Sequence, residues 1–198
     1  MFLFLDCETG GIGPEYSLLQ TYLLITDDQF NPMDDLMLLT KPDDGIYKVC
    51  GEAMNVNRID LKVHDTQALY YKEAGTKLYK WLQLHTNDGK DKLIVVGHNV
   101  KGDIDSIIRS LISRGTWDKF TSYRLRDTQT VACFLIDCGI IKNISGSLES
   151  LCKYFRINQS VGDDWNPHDA KFDTEMTLKV YQKLINLMNE IKNSVVTE

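Results

Sequence analysis

The sequence predicts an α/β fold, a mixed central β-sheet flanked by α-helices, and three observations predict it. The first part of the chain carries apolar runs of strand length separated by turn residues. From residue 66 onward, stretches of helical periodicity alternate with short strand-like runs. No internal repeat, low-complexity tract or linker divides the 198 residues, enough for one substantial core. Strands first, then strands alternating with helices, favour a mixed sheet over a bundle or sandwich. Residues 1–192 are expected to form one domain and residues 193–198 a short tail.

Residues 2–6 read as a buried strand that ends at the glycine-rich turn Gly10-Gly11-Ile12-Gly13-Pro14. Residues 17–26 and 33–41 read as the next two strands, joined by a hairpin turn around Asp27-Asp28-Gln29 and Asn31-Pro32. Residues 66–85 place Leu69, Leu78, Trp81 and Leu82 at helical spacings, with Ala68 and Ala74 between them, and predict one amphipathic helix. Residues 93–96 are continuously apolar, as in a central strand covered on both faces. A helix follows from about residue 103 to 114, stopped by Gly115. Residues 122–125 suggest a short strand, and residues 127–138 a helix stopped by Gly139. Helices over 148–155 and 170–191 complete the series.

Composition narrows the function classes. Hydrophobic residues make up 43% and charged residues 25%, the ordinary globular range. No stretch approaches the roughly 20 apolar residues that span a bilayer. The apolar run at residues 2–5 is too short for a signal peptide and has no basic residue before it. A soluble, cytoplasmic protein with no membrane partner is expected. The five cysteines are odd in number and form no CxxC pair, which argues against a disulfide framework or a zinc site. They read as reduced, mostly buried small hydrophobes. Cys7 is a poor nucleophile, because neighbouring carboxylates disfavour its thiolate. The net charge of −6 counts against gripping long duplex nucleic acid by its backbone. It is compatible with an enzyme that holds a few terminal nucleotides through bound metal ions.

Three segments carry the chemistry. In Asp6-Cys7-Glu8 the carboxylates stand at i and i+2, so a strand points both the same way. Two such charges repel and raise each other's pKa, a penalty that Mg²⁺ or Mn²⁺ removes. Gly97-His98-Asn99-Val100-Lys101-Gly102-Asp103 follows a strand and opens a helix, which puts Asp103 in the first turn, where a carboxylate is favoured. Asp105 lies round the helix and is not expected to join it. Asn99 could donate to a phosphate or sugar oxygen. Pro167-His168-Asp169-Ala170-Lys171-Phe172-Asp173 precedes the last helix. Histidine is the natural general base near neutral pH, and His168 stands five residues ahead of an aspartate.

In this order the segments resemble the DEDDh exonucleases, the RNase T or DnaQ-like group. Its DxE motif is matched by Asp6 and Glu8, its Asn-centred stretch ending in Asp by Asn99 and Asp103, and its HxxxxD by His168 and Asp173. Glu8-Thr9-Gly10-Gly11 resembles the turn that receives the terminal nucleotide. Residues 53–60, with Asn57-Arg58-Ile59-Asp60, resemble the substrate-side segment. Arg126-Asp127-Thr128 and Ser147-Leu148-Glu149-Ser150-Leu151 also match, and the resemblance covers about residues 2–188.

The resemblance implies the ribonuclease H-like exonuclease fold and a two-metal hydrolysis at the 3' end of a nucleic acid. Asp6, Glu8 and Asp173 would hold one Mg²⁺ or Mn²⁺. Asp6 would bridge to a second ion, which Asp103 helps hold, largely through water. His168 would take the proton of the attacking water. Thr9 and Gly10 would meet the terminal nucleotide through backbone groups, Asn57 would lie on the substrate side, and Asn99 would touch the scissile region. Products would be nucleoside 5'-monophosphates. The partner is nucleic acid with a free 3' end, with single-stranded DNA favoured. The alternatives are an exoribonuclease or oligoribonuclease-type activity on RNA, since no motif separates a 2'-OH reader from a 2'-H reader, and an inactive binding module. The latter is expected to have lost one of the five catalytic positions, and all five are filled. Lys101-Gly102 stands where the family more often has a bulky residue. No further C-terminal segment follows the last helix, so a permanent polymerase partner is not expected; a homodimer stays open.

Overall fold

The computed structural model of the chain describes residues 1–157, 159 and 166–196. Its strands are β1 (Phe2–Thr9), β2 (Leu18–Thr26), β3 (Pro32–Lys41), β4 (Leu69–Tyr70), β5 (Ile94–Gly97) and β6 (Arg126–Asp127). They form one mixed sheet in the order β4-β3-β2-β1-β5-β6. The antiparallel β1–β2–β3 meander leads, and β5 and β6 add in parallel beside β1. Asp27 closes the β2–β3 hairpin by accepting the N–H groups of Gln29 and Asn31 on its Oδ1.

The helices are α1 (Gly51–Asn57), α2 (Leu61–Gln67), α3 (Tyr71–His85), α4 (Lys101–Ser110), α5 (Arg114–Phe120), α6 (Thr128–Asp137), α7 (Leu148–Tyr154) and α8 (Ala170–Val196). Alternation along β1 sorts the core into two layers. Leu3 and Leu5 point to the face covered by α3, α4 and α5, where they meet Leu78, Leu82, Ile107 and Phe120. Phe4 points to the other face and packs with Leu24, Val96, Ala170 and Leu178. A further cluster ties α6 and α7 to α8 through Leu135, Leu151, Met176 and Val180.

The second layer positions the site. Phe2, Phe4, Asp6 and Glu8 share one face of β1, and Tyr181 of α8 stands edge-on to Phe4 at a centroid distance of 5.8 Å. Four strand residues from Phe4 to Glu8 span about 13 Å. Eight helical residues from Tyr181 back to Asp173 span about 12 Å. The aromatic contact at one end therefore delivers Asp173 to the carboxylate end of β1.

Four expectations need correction. Residues 66–85 are not one helix: α2 ends at Gln67, Leu69 and Tyr70 pair with Thr40 and Lys41, and α3 starts at Tyr71. The open edge of β3 offers unpaired backbone groups, and capturing two residues satisfies them while Leu69 packs against the core. The helix expected over 103–114 starts at Lys101 and stops at Ser110; Ser113 then caps a separate α5 by accepting the N–H of Thr116. The strand expected over 122–125 lies one step later, at Arg126–Asp127, with only Thr121 bridged to Leu93 ahead of it. Residues 193–196, expected in a tail, continue α8, and residues 197 and 198 lie outside the described residues.

Candidate active site

Asp6 sits opposite Tyr22 and Glu8 opposite Gln20 in the β1–β2 ladder, whose register slips between Glu8 and Thr9. Asp103 occupies the first turn of α4, as its sequence position predicts. Asp169 caps α8 by accepting the N–H of Phe172 at 3.0 Å. One turn on, Asp173 Oδ2 accepts the backbone N–H of His168 at 3.0 Å. Ligand atoms of Glu8, His168 and Asp173 all lie within 4.8 Å of one another. Strand and helix thus bring together residues far apart in the chain.

The charges confirm a crowded cluster. Burial, then the charges of Asp103, Asp173 and Glu8, push the Asp6 carboxyl well above its usual range. Burial, then Asp173 and Asp103, push Glu8 up to about 8. Burial raises Asp103 to about 7 and Asp173 to about 6, the latter against the opposing N–H of His168. Among the described residues, no lysine or arginine forms an ion pair with any of the four. An oxygen-rich cluster that cannot carry its charges alone, beside a histidine, fits a hard divalent cation. Cys7, between the two carboxylates, is pushed up by burial and then by Asp103, and stays a thiol.

Asn99 at φ 59°, His168 at φ 66° and Arg58 at φ 57° adopt left-handed backbone. Such conformations concentrate at functional sites. Asp127 holds the Asn99 turn by accepting the N–H of Asn99 at 3.3 Å and of Val100 at 3.1 Å, and it also caps α6. Its bracing role was not foreseen; the Arg126-Asp127-Thr128 segment, with an Asp ahead of a helix, was the available signal.

Clefts open on three sides of the carboxylates. One of about 330 Å³ is lined by Asp6, His98, Asn99, Glu149, His168 and Asp173. A more apolar one of about 410 Å³ is lined by Glu8, Thr9, Ile12, Tyr16, Val56 and Asn57. The third, about 390 Å³, lies between Gln20, Asn57, Arg58 and Asp169. Asn57 donates from Nδ2 to Thr9 O at 3.2 Å and so fixes the cleft wall. Gly10 does not line these clefts. Its N–H donates to Ser17 O and its carbonyl accepts from Cys50 N. A Cβ there would stand 2.4 Å from Lys48 O, so the turn requires glycine. A cavity of about 530 Å³ between Phe30, Phe155, Arg156, Lys179 and Lys183 contains none of these carboxylates.

No protein-family model matches the sequence, and no curated protein matches it. Solved structures do. Escherichia coli exonuclease I in complex with a dT13 oligonucleotide superimposes with a TM-score of 0.74 at 20% identity, over 99% of this chain and 43% of that one. The fold is that of the exonuclease I nuclease domain, which is ribonuclease H-like. A zinc-bound E. coli exonuclease I complex with single-stranded DNA gives 0.69 at 20% identity, over 97% and 42% of the two chains. Exonuclease I of Methylocaldum szegediense gives 0.67 at 20% identity, over 90% and 39%. The chain spans less than half the length of these neighbours. Among its described residues, no helix is long and apolar enough to cross a membrane.

Proposed function

We propose that the chain is a metal-dependent 3'-to-5' exonuclease acting on single-stranded DNA. The observation that carries this reading is the convergence of Glu8, His168 and Asp173 within 4.8 Å on an exonuclease I-like fold, with Asp6 and Asp103 in the same charge cluster. Asp6, Glu8 and Asp173 would hold one Mg²⁺ or Mn²⁺, and Asp103 would help to hold a second beside Asp6. Bound there, such ions would supply Lewis acidity toward the attacking water and the leaving 3'-oxygen.

The chain's own residues do the rest. His168 is exposed at the cleft and anchored through its backbone, no side-chain hydrogen bond holds its ring among the described residues, and it is placed to take the water's proton. The apolar cleft beside Thr9 receives the terminal nucleotide, with Ile12 and Val56 offering a surface to its base and Asn57 stiffening the wall. Asn99, on its strained turn, faces the scissile side. A 3'-OH end that must enter between these walls accounts for action at ends, and the products are nucleoside 5'-monophosphates.

Incubation of single-stranded DNA, RNA and duplex, labelled at either end, with Mg²⁺ and product sizing tests this. Mononucleotides released from the 3' end of single-stranded DNA are expected, and chelator abolishes them. Faster loss of RNA moves the assignment to an exoribonuclease. Cuts within a circular single strand overturn it.

A further inference from the structure

His98 directly follows β5, with a hydrogen-bonding pattern that fixes its tautomer. The Thr128 hydroxyl carries one proton and donates it to Gly97 O, at 3.1 Å. A carbonyl cannot donate, so the 2.9 Å contact between Thr128 Oγ1 and His98 Nδ1 has the ring as donor. The neutral ring then has no proton on Nε2. That atom is buried and has no hydrogen-bond partner among the described residues, yet His98 lines the same cleft as Asp6 and Asp173. Burial holds the imidazole below its ordinary pKa, which keeps the lone pair free near neutral pH.

A buried acceptor left unmade is costly, and such an atom calls for a ligand. With a cation bound, the neighbouring carboxylates are ionised, are acceptors only and cannot donate to it. Water held by a hard cation can, because Mg²⁺ keeps several of its waters and each has two protons to place. A neutral acceptor takes one of them without adding another negative charge.

We propose that His98 is a positioning residue: its Nε2 accepts a hydrogen bond from a water bound on the Asp6 side of the carboxylate cluster and sets that water's orientation. This rests on the metal-dependent reading above. Thr128 is the residue that makes it work, since its hydroxyl keeps the proton on Nδ1 and off Nε2.

The test is imidazole ¹⁵N spectroscopy of the whole chain labelled at histidine, with and without Mg²⁺, beside calorimetry of Mg²⁺ binding. In the metal-free protein His98 should carry its proton on Nδ1. Saturation with Mg²⁺ should move the Nε2 resonance toward that of a hydrogen-bonded nitrogen and leave Nδ1 in place. Thr128→Val keeps the shape, frees the tautomer, and should weaken Mg²⁺ binding or slow turnover about tenfold, the scale of one hydrogen bond. His98→Gln, which can again present an oxygen near the Nε2 position, should retain more activity than His98→Ala. A protonated Nε2 in the metal-free protein overturns the proposal. So does an Nε2 resonance that stays put while calorimetry shows Mg²⁺ bound, and that outcome leaves the metal reading standing. Absence of any Mg²⁺ binding sinks the metal reading itself.

Discussion

The backbone N–H of His168 donates to Asp173 Oδ2 at 3.0 Å. The residue proposed to move a proton is therefore seated by the residue proposed to hold a metal. The bond spans the start of α8 and holds His168 in left-handed backbone at φ 66°. Asp173 thus has a structural and a chemical task, and the two are separable by substitution.

Asp173→Asn retains an oxygen that can accept the His168 N–H but loses the charge. It should fold with a melting temperature close to wild type and lose at least about a hundredfold in kcat. Asp173→Ala should lose both. Nucleotide release and thermal melts, run side by side, check this; an Asn variant above about a tenth of the wild-type rate removes Asp173 from the ligand set.

His168→Ala should leave Mg²⁺ binding nearly intact and lower the rate by about 10²–10⁴-fold, the range of general acid–base catalysis. His168→Gly should do the same with a backbone better suited to positive φ. The wild-type rate should rise from acid toward neutral pH, as general-base catalysis requires, and both variants should lack that limb. A retained limb would place the base elsewhere.

Glu8, Asp103 and Asp173 are raised to about 8, 7 and 6 in the folded chain, and Asp6 is raised as well. Unfolded carboxyls titrate near about 4. Between these limits the native state binds more protons than the unfolded state, so stability falls as pH rises. The chelated protein should be most favoured by these groups below about pH 4 and lose their contribution as pH climbs through 6 to 8. Melts against pH should show this slope, Glu8→Gln should flatten it, and Mg²⁺ should raise the melting temperature most at the alkaline end.

Phe4→Ala removes a fully buried ring that packs against Tyr181. Denaturant titration should show a loss of about 3–5 kcal/mol. Because the same contact sets where Asp173 meets Glu8, the rate of any folded fraction should fall too; full specific activity would show that α8 is held in register by other contacts.

Much was legible before any coordinates. Turn residues bounded β1, β2 and β3, an i, i+2 spacing put Asp6 and Glu8 on one face, and the helix expected from residue 170 begins there. These are short-range signals: the backbone period and local capping decide them within a few residues. The rest needed the assembled chain. The strand at Leu69–Tyr70 exists because β3 has an edge to satisfy, and local helical periodicity gives no sign of that edge. Gly10 turned out to spend both its backbone groups on Ser17 and Cys50, partners that a linear reading leaves unpaired. The proton on His98 is placed by Thr128, thirty residues away and in reach only because β6 lies beside β5. The sequence by itself determined which chemical groups are present and on which local face each stands. Only the tertiary structure decided which of them meet, because that depends on sheet order and on the length match between β1 and α8.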